Sequence, residues 1–294
     1  MAIMSYIQAV TTALREEMLR DEKVFILGED VGKKGGVFKA TDGLYEEFGP
    51  DRVLDTPLSE SAIAGVGIGA AMYGMRPVSA MQFADFIMPA VNQIISEAAR
   101  IRYRSNNDWS APITIRAPYG GGVHGALYHS QSVEAVFANQ PGLKIVMPST
   151  PYDVKGLLKA AIRYNDPVLF FEHKRLYRLI KGEVPEDDYI LPIGKADVKR
   201  EGEDITVITY GLGVHFALQA AEKLAEDGIE SHILDLRTVY PLDQQAIIEA
   251  ATKTGKVLLV TEDNKEGSVI SEVAAIIAEN CLFDLDAPIM RLAG

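Results

Sequence analysis

Residues 53–81 read VLDTPLSESAIAGVGIGAAMYGMRPVSAM, and this stretch carries the signals of a strand, a helix and a second strand in succession. Residues 53–55 form a short apolar run that Pro57 ends, and Ser59 is suited to cap the helix that follows. That helix is apolar on almost every side, so we expect it to be buried. Residues 76–81 predict the second strand, and two strands joined through a helix are the unit of a parallel α/β sheet.

The same alternation of strands and helices extends from this stretch in both directions. Further strands are predicted at residues 24–27, 113–116, 144–147, 168–171, 205–210, 231–234 and 256–261. Further helices are predicted at residues 88–102, 214–227, 243–252 and 269–279. Because strands alternate with helical segments, the sequence predicts an α/β fold with mainly parallel sheets and helices on both faces.

The alternation is interrupted between about residues 176 and 204. Residues 181–188 read KGEVPEDD, which is polar and acidic with a proline, as is typical of an exposed linker. The sequence therefore predicts two doubly wound domains, at residues 1–185 and 204–294, joined by a linker at 186–203. The last residues directly follow a strand-like segment, so we expect the second domain to be truncated at its C-terminus.

The composition excludes several classes of protein. Of the 294 residues, 48% are hydrophobic and 24% charged, as in a soluble globular protein, and the formal net charge of −12 disfavours nucleic acid or an anionic membrane as partner. No apolar run approaches the roughly 20 residues of a membrane helix. The N-terminus lacks the features of a signal peptide, so a cytoplasmic location is expected. The single cysteine, Cys281, excludes an intrachain disulfide.

The densest basic group consists of Arg100, Arg102 and Arg104, at the end of the helix predicted over residues 88–102. Cations at a helix C-terminus complement the helix dipole, which is the favoured explanation. The alternative is that the group faces a partner subunit.

Glu60 is a candidate functional carboxylate at the start of the helix described first. Acidic residues are common in first helical turns because the helix N-terminus favours them, so its position alone has a structural explanation. A carboxylate leading a buried helix is, however, partly desolvated and suited to share a proton with a ring nitrogen. The glycines within this helix, Gly65, Gly67 and Gly69, are not a dinucleotide-binding loop, because they do not lie at a strand–helix turn.

Two later stretches also carry candidate functional residues. QFADF at residues 82–86 follows the predicted strand at its carboxyl end, where its two aromatic rings can stack on a flat heterocycle or simply belong to the core. APYGGGVHGALYHSQS at residues 117–132 contains three consecutive glycines, which indicate a loop close to a ligand. His124 and His129 lack the spacing of a zinc site, and a proton-transfer or substrate-binding role fits at least one of them. His173, His215 and His232 are expected to be structural.

Together these motifs resemble the beta subunit of the decarboxylating, first component of 2-oxo acid dehydrogenase complexes. The resemblance is carried by GEDV at 28–31, DTPLSE at 55–60, QFADF at 82–86, GALYHSQS at 125–132, PSTPYD at 148–153 and DLRTVYPLD at 235–243. It implies a transketolase-like pyrimidine-binding domain followed by a transketolase C-terminal domain. It also implies thiamine diphosphate as cofactor and an alpha2beta2 heterotetramer.

The resemblance assigns roles to individual residues. Glu60 matches the glutamate bonded to N1′ of the cofactor's aminopyrimidine, where it holds a proton. Leu58, Gln82 and Phe86 match positions that line the pyrimidine. His129 matches a histidine near the reacting carbon and the docked lipoyl group, and a contribution from His124 stays open. Glu60 and His129 are therefore the predicted catalytic residues.

Two metal ions are also implied. A potassium site would use mainly backbone carbonyls, from Ile113, Ala161, Ile162, Tyr164 and Asp166; relatives often have asparagine where Asp166 stands. Magnesium and the diphosphate are held, in complete enzymes of this type, by a Gly-Asp-Gly segment and a later asparagine. This chain contains no Gly-Asp-Gly. The magnesium site is therefore expected in an alpha subunit, without which this chain would be inactive.

Within the family, residues 82–86 and 124–129 look more like the branched-chain members than the pyruvate ones. The expected activity is oxidative decarboxylation of branched-chain 2-oxo acids such as 3-methyl-2-oxobutanoate, with acyl transfer to the lipoyl group of an acyltransferase component. The alternatives are a pyruvate or acetoin dehydrogenase beta subunit with the same chemistry, or a non-catalytic subunit that only bridges the alpha subunit and the acyltransferase.

Overall fold

The computed structural model describes residues 1–294, which divide into two compact units. The first unit consists of residues 1–146 and 150–193, and the second of residues 147–149 and 194–294. Both units are α/β with mainly parallel sheets, which confirms the predicted fold class.

The first unit contains eight strands and seven α-helices. The strands are β1 (Ala2–Ser5), β2 (Val24–Gly28), β3 (Val53–Asp55), β4 (Arg76–Ala80), β5 (Thr114–Tyr119), β6 (Lys144–Val146), β7 (Val168–His173) and β8 (Lys181–Val184). The helices are α1 (Tyr6–Arg20), α2 (Leu44–Phe48), α3 (Glu60–Met72), α4 (Ile101–Arg104), α5 (Glu134–Phe137), α6 (Pro151–Arg163) and α7 (Leu176–Leu179).

The main sheet of this unit has the strand order β6-β7-β5-β4-β2-β3, and all of these pairings are parallel. Every residue of β2, β5 and β7 is buried, as expected for strands covered by helices on both faces. Strands β1 and β8 form a separate antiparallel pair. The polar segment from residue 181, which resembles a linker in sequence, therefore begins as a strand, because β1 supplies its hydrogen-bond partners.

The second unit contains a five-stranded sheet of order β14-β13-β10-β11-β9. Its elements are β9 (Asp197–Arg200), β10 (Ile205–Thr209), α8 (Leu212–Glu226), β11 (Ser231–Asp235), β12 (Thr238–Tyr240), α9 (Gln244–Thr254), β13 (Val257–Val260), α10 (Val269–Cys281) and β14 (Met290–Leu292). Residues 197–200, expected within the linker at 186–203, instead form edge strand β9, which pairs antiparallel with β11. The domain limits at residues 185 and 204 otherwise stay a prediction.

The prediction of one continuous helix over residues 88–102 is wrong. Ala84–Ala90 form a 3₁₀ segment, Gln93–Ala98 a π-helical segment, and Ile101–Arg104 the short α4. Pro89 lies in the first segment and has no N–H for an α-helical hydrogen bond. The apolar spacing of this region predicts its buried face but not the change in winding. No helix of the protein combines the length and apolar character needed to cross a bilayer.

Helices α1 and α6 pack together through a network of ion pairs. The Lys155 Nζ lies 2.8 Å from Glu16, and the Lys159 Nζ lies 2.5 Å from both Glu16 and Asp188, although both lysines are buried. Arg163 also contacts Asp188, at 2.7 Å. The network attaches the segment after β8 to these helices.

We expect Asp188→Asn to destabilise the protein by less than about 1 kcal/mol at pH 7, because Asp188 is largely exposed and solvent screens its charge. Hydrogen bonds from Arg163 and then Lys159 lower the pKa of Asp188 well below its usual 3.8. Its contribution is therefore present above pH about 4 and lost as the pH falls toward the lowered pKa. Urea unfolding of the wild type and of Asp188→Asn at pH 7 and at about pH 3 measures this difference.

The matched control is Asp187→Asn, because the neighbouring Asp187 is exposed and makes no ion pair. Equal destabilisation by the two variants at pH 7 would contradict the network.

Candidate active site

The carboxyl ends of adjacent parallel strands bring the predicted site residues to one edge of the first sheet. Strands β5, β4, β2 and β3 are consecutive neighbours and run in the same direction. Gln82 follows β4 closely, and the glycine-rich loop follows β5 directly. Residues 56–60 connect β3 to α3 at the same edge. This is where open α/β sheets place their ligands.

Glu60 is the first residue of α3, and only 8% of its surface is exposed. Ser59 precedes it in an extended conformation but makes no side-chain capping bond, contrary to the predicted cap. Within α3, Gly67 allows close approach to the sheet, since a Cβ there would lie 2.4 Å from the Ser79 Oγ and 2.8 Å from the Ile113 Cδ1. The helix is therefore held against β4 with its leading carboxylate at the sheet edge.

Glu29 is a second carboxylate at this edge, and it was not predicted as a site residue. Partial burial raises its pKa, and the charges of Asp30 and Glu60 raise it further, against smaller opposing effects of Lys34 and of a hydrogen bond with Gln82. The Gln82 Nε2 also donates to the Asp30 Oδ2 at 3.1 Å. A carboxyl group with a raised pKa retains its proton more readily, so Glu29 adds a group that can share a proton with a ring nitrogen at this edge. The signal in the sequence was an acid directly after a fully apolar strand.

Aromatic rings form a cluster beside these carboxylates. The rings of Phe83 and Phe86 meet the imidazole of His129 edge-on, with centroid distances of 4.5 Å and 5.4 Å. Phe83 is buried and Phe86 is partly exposed, so the pair belongs neither wholly to the core nor wholly to the surface. The cluster brings His129 and Phe86 together, two of the residues predicted from the motifs.

The glycine-rich loop is closed at its base. The Gly120 N–H donates to the Gln131 carbonyl at 3.0 Å. The two ends of the loop, residues 120 and 131, therefore lie side by side. His124 and Ala126 both have a φ of +58°, a strained left-handed conformation for residues other than glycine. His124 is exposed, whereas His129 is partly buried against the two phenylalanines. Such strain is common at ligand-binding sites.

The remaining histidines have structural settings. His173 is buried against the ring of Tyr119, at a centroid distance of 4.9 Å. His215 hydrogen-bonds the Ser149 carbonyl at 2.8 Å, and His232 is buried near Glu201. None of them joins the aromatic cluster.

We expect Gly120→Ala to disrupt the loop. Gly120 has a φ of +83°, and a Cβ there would lie 2.2 Å from the His173 Nε2, which is buried and cannot move away easily. Gly74→Ala is the matched control: Gly74 has a φ of +97° but open space around it, so it carries the backbone strain without the clash. The strain alone costs roughly 1–2 kcal/mol. Thermal unfolding should show a clearly larger loss for Gly120→Ala, and equal losses would contradict this account.

Leu58 stands apart from the other predicted residues. Its side chain is 72% exposed at the approach to α3, so this chain leaves it largely uncovered. The residues predicted to line the pyrimidine thus divide into Glu60 and Gln82 beside Glu29, Phe86 in the aromatic cluster, and Leu58 at the open side.

Most of the predicted potassium ligands already accept hydrogen bonds within the fold. The Arg76 Nη1 donates to the carbonyls of Ile162 at 2.9 Å and of Tyr164 at 3.0 Å, and the Arg102 Nε bonds the Asp166 carboxylate at 2.6 Å. The other two predicted carbonyls, of Ile113 and Ala161, accept backbone N–H groups. Two of the predicted carbonyls thus accept from the Arg76 guanidinium and two from backbone N–H groups, while the Asp166 contact is to its side chain.

These contacts also explain part of the basic group. Arg102 forms an ion pair with Asp166, and Arg104 forms one with Glu97. Carboxylates of the same chain therefore neutralise two of the three arginines in the group. A helix of four residues has little dipole for them to complement, contrary to the favoured explanation.

A buried ion pair lies beneath the site, between the central strands β5 and β7. The guanidinium of Arg116 binds the Glu172 carboxylate through two hydrogen bonds, of 2.8 Å and 2.6 Å, and the Tyr177 hydroxyl donates to the same carboxylate at 2.6 Å. Arg116 and Tyr177 line a cavity of about 30 Å³ together with Glu29 and other residues. The pair was not predicted, although a charged residue in each of two otherwise buried strands was its signal.

Two known domain families match the chain, one in each of its two compact units. The model of the transketolase pyrimidine-binding domain matches residues 3–180, and that of the transketolase C-terminal domain matches residues 194–294. A solved structure described as a split-gene transketolase, inactive beta4 tetramer, superposes with a TM-score of 0.80 at 23% identity, covering 99% of this chain and 89% of that one. At that identity the likeness shows the fold.

The relatives in sequence identify the family more narrowly than the fold does. The chain is 82% identical to the 2-oxoisovalerate dehydrogenase subunit beta of Bacillus subtilis (strain 168), over 100% of this chain and 90% of that protein. It is 51% identical to the pyruvate dehydrogenase E1 component subunit beta of the same organism, with the same coverage.

The two domains and the partly buried acidic edge define a thiamine-diphosphate-dependent enzyme subunit of the transketolase type. The chain belongs to the family of beta subunits of 2-oxo acid dehydrogenases. The family predicted from the motifs is therefore confirmed.

Proposed function

We propose that this chain is the beta subunit of a branched-chain 2-oxo acid dehydrogenase that oxidatively decarboxylates 3-methyl-2-oxobutanoate and related acids. The observation that carries the substrate class is the difference in identity: 82% to the 2-oxoisovalerate enzyme's subunit against 51% to the pyruvate enzyme's subunit, over the same 294 residues. 2-Oxoisovalerate is another name for 3-methyl-2-oxobutanoate.

The residues at the sheet edge fit the pyrimidine half of thiamine diphosphate. When bound, this cofactor supplies a ring that accepts the electron pair left by loss of carbon dioxide. Glu60 would hold a proton at the pyrimidine N1′, from a buried position at the start of α3. Gln82, Phe86 and Leu58 would line the ring.

His129 would act on the acyl group as it passes to the lipoyl acceptor. Its imidazole is partly exposed above the two phenylalanines, so it combines access to solvent with a fixed ring orientation. An imidazole can donate a hydrogen bond to the acyl group or accept one from it. The proposed acceptor is the lipoyl group of an acyltransferase component.

The other half of the site would come from an alpha subunit in an alpha2beta2 heterotetramer. This chain contains no Gly-Asp-Gly segment, so we place the magnesium ion and the diphosphate on that partner. The exposure of Leu58 supports an open half-site that a second chain covers. The chain would then be inactive alone. The cytoplasmic location stays a prediction from the N-terminal sequence.

We expect the assembly with its alpha subunit to prefer 3-methyl-2-oxobutanoate to pyruvate by at least about tenfold in kcat/KM, because a fitted apolar pocket gains that much from each buried methyl group. Steady-state assays with an artificial electron acceptor measure the ratio. A preference for pyruvate would support the pyruvate or acetoin alternative. Assembly without any turnover would support a non-catalytic bridging subunit.

A further inference from the structure

Asp85 is a buried carboxylate whose partners lie in the loop that carries His129. Its Oδ1 accepts backbone N–H bonds from both Ser130 and Gln131, each at 3.1 Å. The side chain is only 1% exposed. These two residues directly follow His129 in the chain, so the carboxylate fixes the backbone on which the imidazole is mounted.

Lys174 provides the opposite charge. Its Nζ lies 3.9 Å from the Asp85 Oδ2, and its side chain is fully buried. Lys174 directly follows β7, and its own N–H donates to the Tyr119 carbonyl at 3.1 Å, so the main sheet holds it in place. A buried charge is retained at a site only where an opposite charge and hydrogen bonds compensate it.

The same lysine also contacts Phe83, one of the two aromatic rings packed against His129. The Lys174 Nζ lies over the face of Phe83, 5.4 Å from its centroid, and Phe83 meets the His129 imidazole edge-on. Asp85 thus holds the backbone next to His129, and Lys174 contacts the Phe83 ring that packs against its imidazole.

We propose that Asp85, held by Lys174, is a positioning residue that sets the orientation of His129 for acyl transfer. The inference rests on the proposed function of His129. Without the hydrogen bonds to Asp85, the loop is expected to change conformation, because His124 and Ala126 are held at a strained positive φ. Losing the carboxylate would let this strain relax and turn the imidazole away from the acyl group.

The test is a double-mutant cycle in the assembled alpha–beta enzyme, with Asp85→Ala, His129→Ala and the combined variant. Two rates are compared for each: acyl transfer to a lipoyl domain, and decarboxylation with an artificial acceptor. We expect Asp85→Ala to slow acyl transfer at least about tenfold and decarboxylation less than about threefold. In the His129→Ala background, Asp85→Ala should cause no further loss.

Asp85→Asn keeps an oxygen acceptor for the two N–H groups but removes the charge opposite Lys174, and we expect it to lie between wild type and Asp85→Ala. It also replaces Asp85→Ala if that variant does not fold. Asp187→Ala, at an exposed carboxylate, is the control for a general charge effect and should behave as wild type.

Independent, multiplying losses from Asp85→Ala and His129→Ala would overturn the proposal, as would equal losses in the two rates. Failure of the proposed function would look different. It would appear as absent 2-oxo acid turnover in the wild-type assembly, or as acyl transfer that His129→Ala leaves unchanged, whatever the residue at position 85.

Discussion

Glu60→Gln is expected to lower 2-oxo acid turnover by the assembled enzyme by about 10²- to 10⁴-fold, the contribution typical of a positioned acid–base group. Glutamine keeps the size of the side chain and its place at the start of α3, but it cannot hold an exchangeable proton at the cofactor ring. Because Glu60 is almost fully buried, a water molecule cannot easily take its place. Steady-state rates with an artificial acceptor measure the loss.

The matched control is Glu22→Gln, at an exposed acid that makes no ion pair. Both variants should assemble normally with the alpha subunit, as measured by analytical ultracentrifugation. Normal turnover by Glu60→Gln in an intact assembly would exclude the catalytic role and favour a subunit that only bridges its partners.

Arg116→Met is expected to destabilise the protein by roughly 3–5 kcal/mol, the usual effect of leaving one buried charge without its partner. Glu172 is fully buried, and only Tyr177 would still donate to it. Burial, and then the charge of Glu172, raises the pKa of Tyr177 well above its usual 10.0, so its hydroxyl stays a donor but brings no positive charge. Urea unfolding measures the loss.

The double variant Arg116→Met with Glu172→Gln separates the missing contact from the unpaired charge. A neutral glutamine still accepts the Tyr177 hydroxyl, so most of the lost stability should return. If the double variant is as unstable as Arg116→Met, the loss comes from packing instead.

Much of the fold follows from short segments of sequence. Strands β2 and β7 were predicted within two residues at each end, because each begins with an uninterrupted apolar run, as expected in a sheet covered on both faces. Helices α8, α9 and α10 were predicted similarly well from their apolar spacing. Both signals depend on neighbouring residues only.

The site was predictable in part, for a related reason. Glu60, Gln82 and His129 belong to motifs that are contiguous in the chain, so inspection alone could select them. Glu29 in GEDV and Asp85 in QFADF also lie in these motifs, and Glu29 directly follows an apolar strand, but the local sequence does not reveal which groups they face. Their roles arise from Glu60, 31 positions away, and from the loop 45 positions away.

Residue order alone thus predicts the alternation of strands and helices, the sheet edge at which a ligand is expected, and the carboxylate at the start of α3. Which charges pair across that framework is decided by tertiary packing. Arg116 and Glu172 are 56 positions apart and become partners only because β5 and β7 lie side by side. The carbonyls of Ile162 and Tyr164, predicted as potassium ligands, accept hydrogen bonds from Arg76 for the same reason. A hydrogen bond or ion pair forms between groups that folding brings within about 3 Å, and local sequence does not encode that distance.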